Sequence, residues 1–268
     1  MHSQVAQDVL HRLDKAFRRF FRHQSKNPRF KKFSNSGSFT YPQGYGGSVK
    51  PDPLRRRLFL SKIGNIQAVF HRPLPKYSRL KTCTVIREPD GKWFASLVFE
   101  EVVPLGNQAA APRLSNGTSS PIGIDLGLLS LVTVSNGEQV EHPGFLRKAD
   151  KRLKGLQRAQ SHKRKGSKNR NKARQRVASQ HSRVKRQRLD FNHELSTKLV
   201  RAHDFIAFED LRIKNMVKNH KMARSIQDAA WGQLVRLTEY KALKVGSRVI
   251  KVPAAYSTQE CFHCGIRK

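Results

Sequence analysis

"PIGIDLGLLSLVTVSNGEQVEHP", residues 121–143, decides the fold of the larger half of this chain. A short apolar run ends in a carboxylate, Asp125, between Gly123 and Gly127. A second apolar run then leads through Ser135-Asn136-Gly137 into a third. That pattern predicts three successive strands, with a tight turn before the last. A carboxylate inside an apolar strand is costly to desolvate unless something pairs with it. Asp125 is therefore expected to be desolvated and to face a bound cation.

A second acidic signal follows in "DFIAFEDL", residues 204–211, where an apolar strand ends in Glu209 and Asp210. Glu209, directly after the apolar Phe208, is assigned a functional role, and Asp210 the role of a helix N-cap. The intervening region reads as helical. A helix from Ser225 to Gly246 and a strand "RVIKVPA" at 248–254 follow. Three strands, helix, strand, helix, strand is the ribonuclease-H-like layout, in which the first and fourth strands lie side by side. Asp125 and Glu209 should then converge at adjacent strand ends, an arrangement suited to divalent metal ions and phosphodiester hydrolysis.

Between those strands lies the densest charge. From Arg147 to Arg188 there are eighteen Lys and Arg and one acidic residue, Asp150. The centre, "SHKRKGSKNRNKARQ", contains Gly166, so two helices joined at a basic elbow are expected. Lys163, Arg164, Lys165, Lys168, Arg170 and Arg174 are the candidate nucleic-acid contacts there. The whole chain carries 53 Lys and Arg against 19 Asp and Glu, a formal net charge of +34, so a polyanion is the expected partner. Nucleic acid fits. A membrane does not, since no apolar run approaches a bilayer span, and a cytoplasmic protein is expected.

The first half has a different texture. "QVAQDVLHRLDKAFRRFFR", residues 4–22, is an amphipathic helix whose apolar stripe is expected to pack in a core. "NPRFKKFSNSGSFTYPQGYGG", residues 27–47, interleaves aromatic and basic residues. Such a segment suits base stacking, with Tyr41 the candidate, and equally suits an irregular loop tucked against a sheet. From Arg57 to Val103 the period becomes two, with Asp90-Gly91 as a hairpin turn, predicting a small antiparallel barrel or sheet. The segment 105–120 reads as a linker between domains.

The chain closes on "CFHCGIRK", residues 261–268. Cys261 and Cys264, followed by glycine, form one knuckle of a zinc ribbon, half of a tetrahedral site.

"IGIDLG", "LDFNHELSTKLV", "FEDLRIKNMVKN", "SIQDAAWGQLVRLTEYKA" and "STQECFHCG", in this order, resemble the TnpB family. These are RNA-guided endonucleases of insertion sequences, catalogued as OrfB transposases and related to type V CRISPR effectors. "FTYPQG" and "KTCTVIREPDGKWFASLVFE" resemble the family's wedge domain. The resemblance implies an α+β chain divided as follows: a remnant of a helical recognition lobe with a basic aromatic loop at 1–50, a wedge-like β domain at 51–104, the linker, an incomplete RuvC-like nuclease domain at 121–256, and half a zinc ribbon at 257–268. It implies magnesium at Asp125 and Glu209 as the first two catalytic acids, structural zinc at the cysteines, and guide RNA and DNA as partners. The family's third acid follows a second knuckle, so the chain is expected to be an inactive fragment, truncated at both ends. Two alternatives stay open: a non-catalytic binder acting as a guide-dependent repressor, and a general basic RNA-binding protein in which the two acids are accidental.

Overall fold

The structure is a computed structural model that describes residues 2–30, 37–101 and 121–253. The linker at 105–120 and the zinc knuckle with Cys261 and Cys264 lie outside the described residues. The chain divides into two compact units, Met1–Pro104 and Leu105–Lys268.

The first unit opens with α1 (Ser3–Phe21), whose start is capped by the His2 imidazole accepting from the Gln4 N–H. Six strands follow: β1 (Gly37–Tyr41), β2 (Val49–Asp52), β3 (Arg57–Leu60), β4 (Gly64–Gln67), β5 (Ser78–Arg87) and β6 (Trp93–Glu101). They pair as two three-stranded sheets, β1-β5-β6 and β2-β3-β4, all antiparallel, and no closed barrel forms among the described residues. The β5–β6 hairpin turns at Gly91, φ 85°, while the Asp90 carboxylate accepts from the Lys92 N–H. Val5, Tyr41, Leu58, Leu60, Leu80, Cys83 and Val85 form the core. The α1 stripe departs from expectation. Of its residues only Val5 is buried, while Val9, Leu13, Phe17 and Phe21 are exposed. Among the described residues, the polar side-chain contacts from the helix to the strands and loops of its unit come from Gln4 and Arg12, in its first three turns.

The second unit holds β7 (Pro121–Asp125), β8 (Ser130–Val134), β9 (Gln139–Glu141), α2 (Phe145–Ser161), α3 (Lys168–Ala202), β10 (Phe205–Asp210), the single turn α4 (Ile213–Met216), α5 (His220–Ala229), α6 (Trp231–Val245) and β11 (Arg248–Pro253). The sheet order is β11-β10-β7-β8-β9. β10 runs parallel to both β7 and β11, and the other pairings are antiparallel. Ile122, Ile124, Ile206 and Phe208 point into a core completed by Leu195, Leu199, Trp231 and Leu234 from the helices. This period-two burial of the apolar residues fixes which face of each strand meets the helices.

The helix expected from Ser225 to Gly246 is two helices. Ala230 adopts φ 53°, ψ 35°, ending α5 and starting α6. A left-handed alanine costs about 1–2 kcal/mol. Burial of Trp231 and Asp228 on either side holds it there.

Candidate functional site

The parallel pairing of β7 with β10 brings the two predicted acids together. The register matches Phe208 with Ile124, so the next residues, Glu209 and Asp125, sit side by side at the carboxyl ends of their strands. Their carboxyl groups are within hydrogen-bonding reach of one another. Partial burial, that hydrogen bond and the repulsion from Asp125 together push the Glu209 carboxyl above its ordinary value. Two carboxylates in this position repel unless a proton or a cation sits between them.

Asp125 itself corrects the expectation of a desolvated carboxylate. It is exposed, because it is the last residue of β7 and lies on the face opposite Ile122 and Ile124. The apolar run around it is the strand's inward face and does not enclose the acid. Glu209 is half-buried beside the fully buried Phe208, as its position after an apolar strand implies. Asp210 is exposed and caps nothing, since Arg212 holds the N-cap position of α4.

A cleft of about 290 Å³ opens beside the pair, with Glu209, Asp210, Gly232, Arg236, Glu239 and Lys251 among its lining. Lys251 Nζ lies 2.7 Å from the Glu239 carboxylate. Arg236, Glu239 and Lys251 were not singled out from the sequence. The legible signal was the interruption of an otherwise apolar helix, "WGQLVRLTEYKA", by an arginine and a glutamate three apart. Among the described residues no cluster of three or more His, Cys, Asp and Glu is placed to hold a metal ion. The two carboxylates are nevertheless hard oxygen donors, the ligand type that a divalent cation such as magnesium takes.

The basic hairpin is built as two helices with an elbow at 162–167. Gly166 takes φ 83° there, and the Ser167 hydroxyl caps α3 by accepting from the Arg170 N–H. The two helices pack on one another, with Leu153 of α2 and Val184 of α3 both buried. Lys163, Arg164, Lys165, Lys168 and Arg174 are exposed. Arg170 differs from these. Its Nη1 donates to the carbonyls of Gln160 (3.3 Å) and Lys163 (2.8 Å), closing the end of α2. Its guanidinium holds the elbow's shape, which the charge count could not reveal.

Tyr41 is a correction. It is 1% exposed, its hydroxyl donates to the Ser61 carbonyl at 2.7 Å, and its ring meets those of His2 and Phe39. A ring so enclosed has no face for a base, and of the two readings of the aromatic segment the packed one applies to Tyr41.

The comparisons with known proteins agree in direction. A family model described as "Probable transposase", OrfB_IS605, matches residues 107–220, and one described as "Cas12f1-like, TNB domain" matches residues 231–268. A "Putative RNA-guided DNA endonuclease" of Streptomyces pristinaespiralis is 37% identical over 269 residues, covering 97% of this chain and 62% of that protein. "Putative RNA-guided DNA endonuclease InsQ" of Escherichia coli K12 is 32% identical over 278 residues, covering 98% of this chain and 65% of that one. The chain thus spans under two thirds of the length of these relatives. The solved structure titled "Cryo-EM structure of the Cas12f1-sgRNA-target DNA complex" shares the fold, with a TM-score of 0.60 over 99% of this chain and 64% of that chain, at 12% identity.

Proposed function

Because the chain belongs to the TnpB family of OrfB-type transposases, we propose that it serves RNA-guided DNA cleavage, with guide RNA and DNA as its partners and the cytoplasm as its place of action. The observation that carries this reading is the juxtaposition of Asp125 and Glu209 at the ends of two parallel strands in a five-stranded mixed sheet. A protein that only binds nucleic acid has no use for two repelling carboxylates at that position. The relatives' printed names and the nucleic acids in the Cas12f1 complex support the same direction.

In this reading the second unit is a RuvC-like, ribonuclease-H-type domain and the first a wedge-like domain. Asp125 and Glu209 would hold magnesium, which when bound supplies charge neutralisation at the phosphodiester and activates a water molecule. The chain's own residues do the rest. β7 and β10 fix the spacing of the carboxylates through their ladder, and the basic hairpin, with Lys163, Arg164, Lys165, Lys168 and Arg174 exposed, meets phosphate backbone. Cys261 and Cys264 would grip zinc as one knuckle of a ribbon. Among the described residues no helix is long and apolar enough to cross a membrane.

The test is cleavage of a guide-matched DNA by the protein as its gene encodes it. Asp125→Ala and Glu209→Ala should each abolish magnesium-dependent cleavage and leave guide RNA affinity nearly unchanged. Cleavage that survives both substitutions removes the assignment.

A further inference from the structure

The cleft beside the acid pair carries a cation that the carboxylate chemistry does not use. Two positive side chains line it, Arg236 and Lys251. Lys251 is engaged by Glu239 at 2.7 Å. Arg236 is exposed and forms no ion pair with any described residue, although Glu209 and Asp210 line the same cleft. Its position is set by α6. Gly232 lies one helical turn earlier on the same face, and a Cβ there would come 3.4 Å from Ile213 Cδ1. That is ordinary contact, so an alanine methyl would fit, but the glycine that lines the cleft brings no side chain into it.

The charge around this cleft sets a problem for a DNA strand. Glu209, Asp210 and Glu239 line it and Asp125 stands beside Glu209, so a phosphate entering meets repulsion. A divalent cation between Asp125 and Glu209 answers only part of that. A planar guanidinium, with paired donors matched to phosphate oxygens, answers the remainder and adds direction.

We propose that Arg236 grips a backbone phosphate of the DNA strand to be cut and positions that strand in the cleft against Asp125 and Glu209. The inference rests on the nuclease reading above. It adds a substrate contact on α6, separate from the basic hairpin and its exposed cations.

The probe is a fluorescent six-nucleotide deoxythymidine strand, titrated by anisotropy in EDTA and again in magnesium. The host is the full chain carrying Lys163, Arg164, Lys165 and Lys168 changed to Gln, so that the elbow contributes little. Arg236→Gln should weaken binding about tenfold in both conditions, and should lower the slope of log affinity against log salt by about 0.7, the share of one phosphate on a single strand. Arg236→Lys should recover part of the affinity. Because Arg236 is exposed, an unchanged melting temperature is expected and serves as the folding control. Unchanged affinity and salt slope in Arg236→Gln would overturn the proposal. Glu209→Gln in the same host separates the two readings: it should abolish the gain in affinity on adding magnesium. A persistent magnesium response there speaks against the metal site, while the Arg236 effect in EDTA still stands or falls by itself.

Discussion

Asp228, near the end of α5, accepts hydrogen bonds from the backbone N–H groups of Leu146 (3.0 Å) and Arg147 (3.3 Å) at the start of α2, some 82 positions away in sequence. The N-terminus of α2 lacks a side-chain cap of its own, its N-cap being Gly144. The carboxylate of Asp228, only 6% exposed, therefore satisfies donors that the local sequence leaves open and complements the positive end of the helix. Arg188 lies beside it, donating through Nη1 to the Gln227 carbonyl. The basic hairpin is fastened to the helical layer of the second unit at this point.

Asp228→Ala should destabilise the chain by about 2–3 kcal/mol, the cost of losing charged hydrogen bonds and leaving helix donors unpaired. Urea unfolding measures it. Asp228→Asn should recover part, since the amide oxygen still accepts. An Asp228→Ala variant of wild-type stability would show that water replaces the cap without loss.

At the elbow, shape and nucleic-acid binding should separate. Changing Lys163, Arg164, Lys165 and Lys168 together to Gln should lower the salt dependence of RNA binding, by about 0.7 in slope for each phosphate no longer neutralised, with little change in stability. Arg170→Ala should do the opposite. Loss of its bonds to Gln160 and Lys163 should reduce helicity at the elbow, read by amide hydrogen exchange over 160–170. Equal exchange rates in Arg170→Ala and wild type would deny it that structural role.

Asp150 on α2 offers a pH handle. Side-chain hydrogen bonds from Lys154 and Arg224 hold its carboxyl below the ordinary value of 3.8. A depressed carboxylate stabilises the fold above its unfolded value, and that contribution is lost as pH falls through the folded one. The acid side of the stability profile should therefore be shallower in Asp150→Asn, with the two profiles converging at the lowest pH. Melting temperatures between about pH 6 and pH 2.5 would reveal it, and parallel profiles would count against the pairing.

Much of the layout could be read from the chain because strand and helix periods leave direct marks. The alternation in "PIGID" and "DFIAFED", and the long basic run broken by Gly166, place β7, β10, α2 and α3 without any tertiary information. The pairing of Asp125 with Glu209 followed from topology. What the sequence concealed was direction and partnership. The same alternation that marks β7 as a strand turns Asp125 outward, and only the three-dimensional packing shows Tyr41 sealed in a core and Arg170 committed to backbone carbonyls. The break at Ala230 was hidden because alanine is the best of helix formers, and tertiary burial on both flanks overrides that propensity. Asp228 and Leu146 have no sequence signature, as a cap supplied from 82 residues away has none.

The central claim is that Asp125 and Glu209 form a divalent-cation site, and melting temperature with and without manganese, in wild type, Asp125→Asn and Glu209→Gln, tests it most directly. Glu209 has a raised value in the folded state, so its contribution is favourable at low pH and is lost as pH rises through that value. Above that value the metal-free pair is therefore destabilising. The account predicts that manganese raises the wild-type melting temperature at pH 7, less so as pH falls, and leaves both variants unmoved. It also predicts that each variant without metal melts above the metal-free wild type. An equal manganese shift in all three proteins, or none in the wild type, would contradict it.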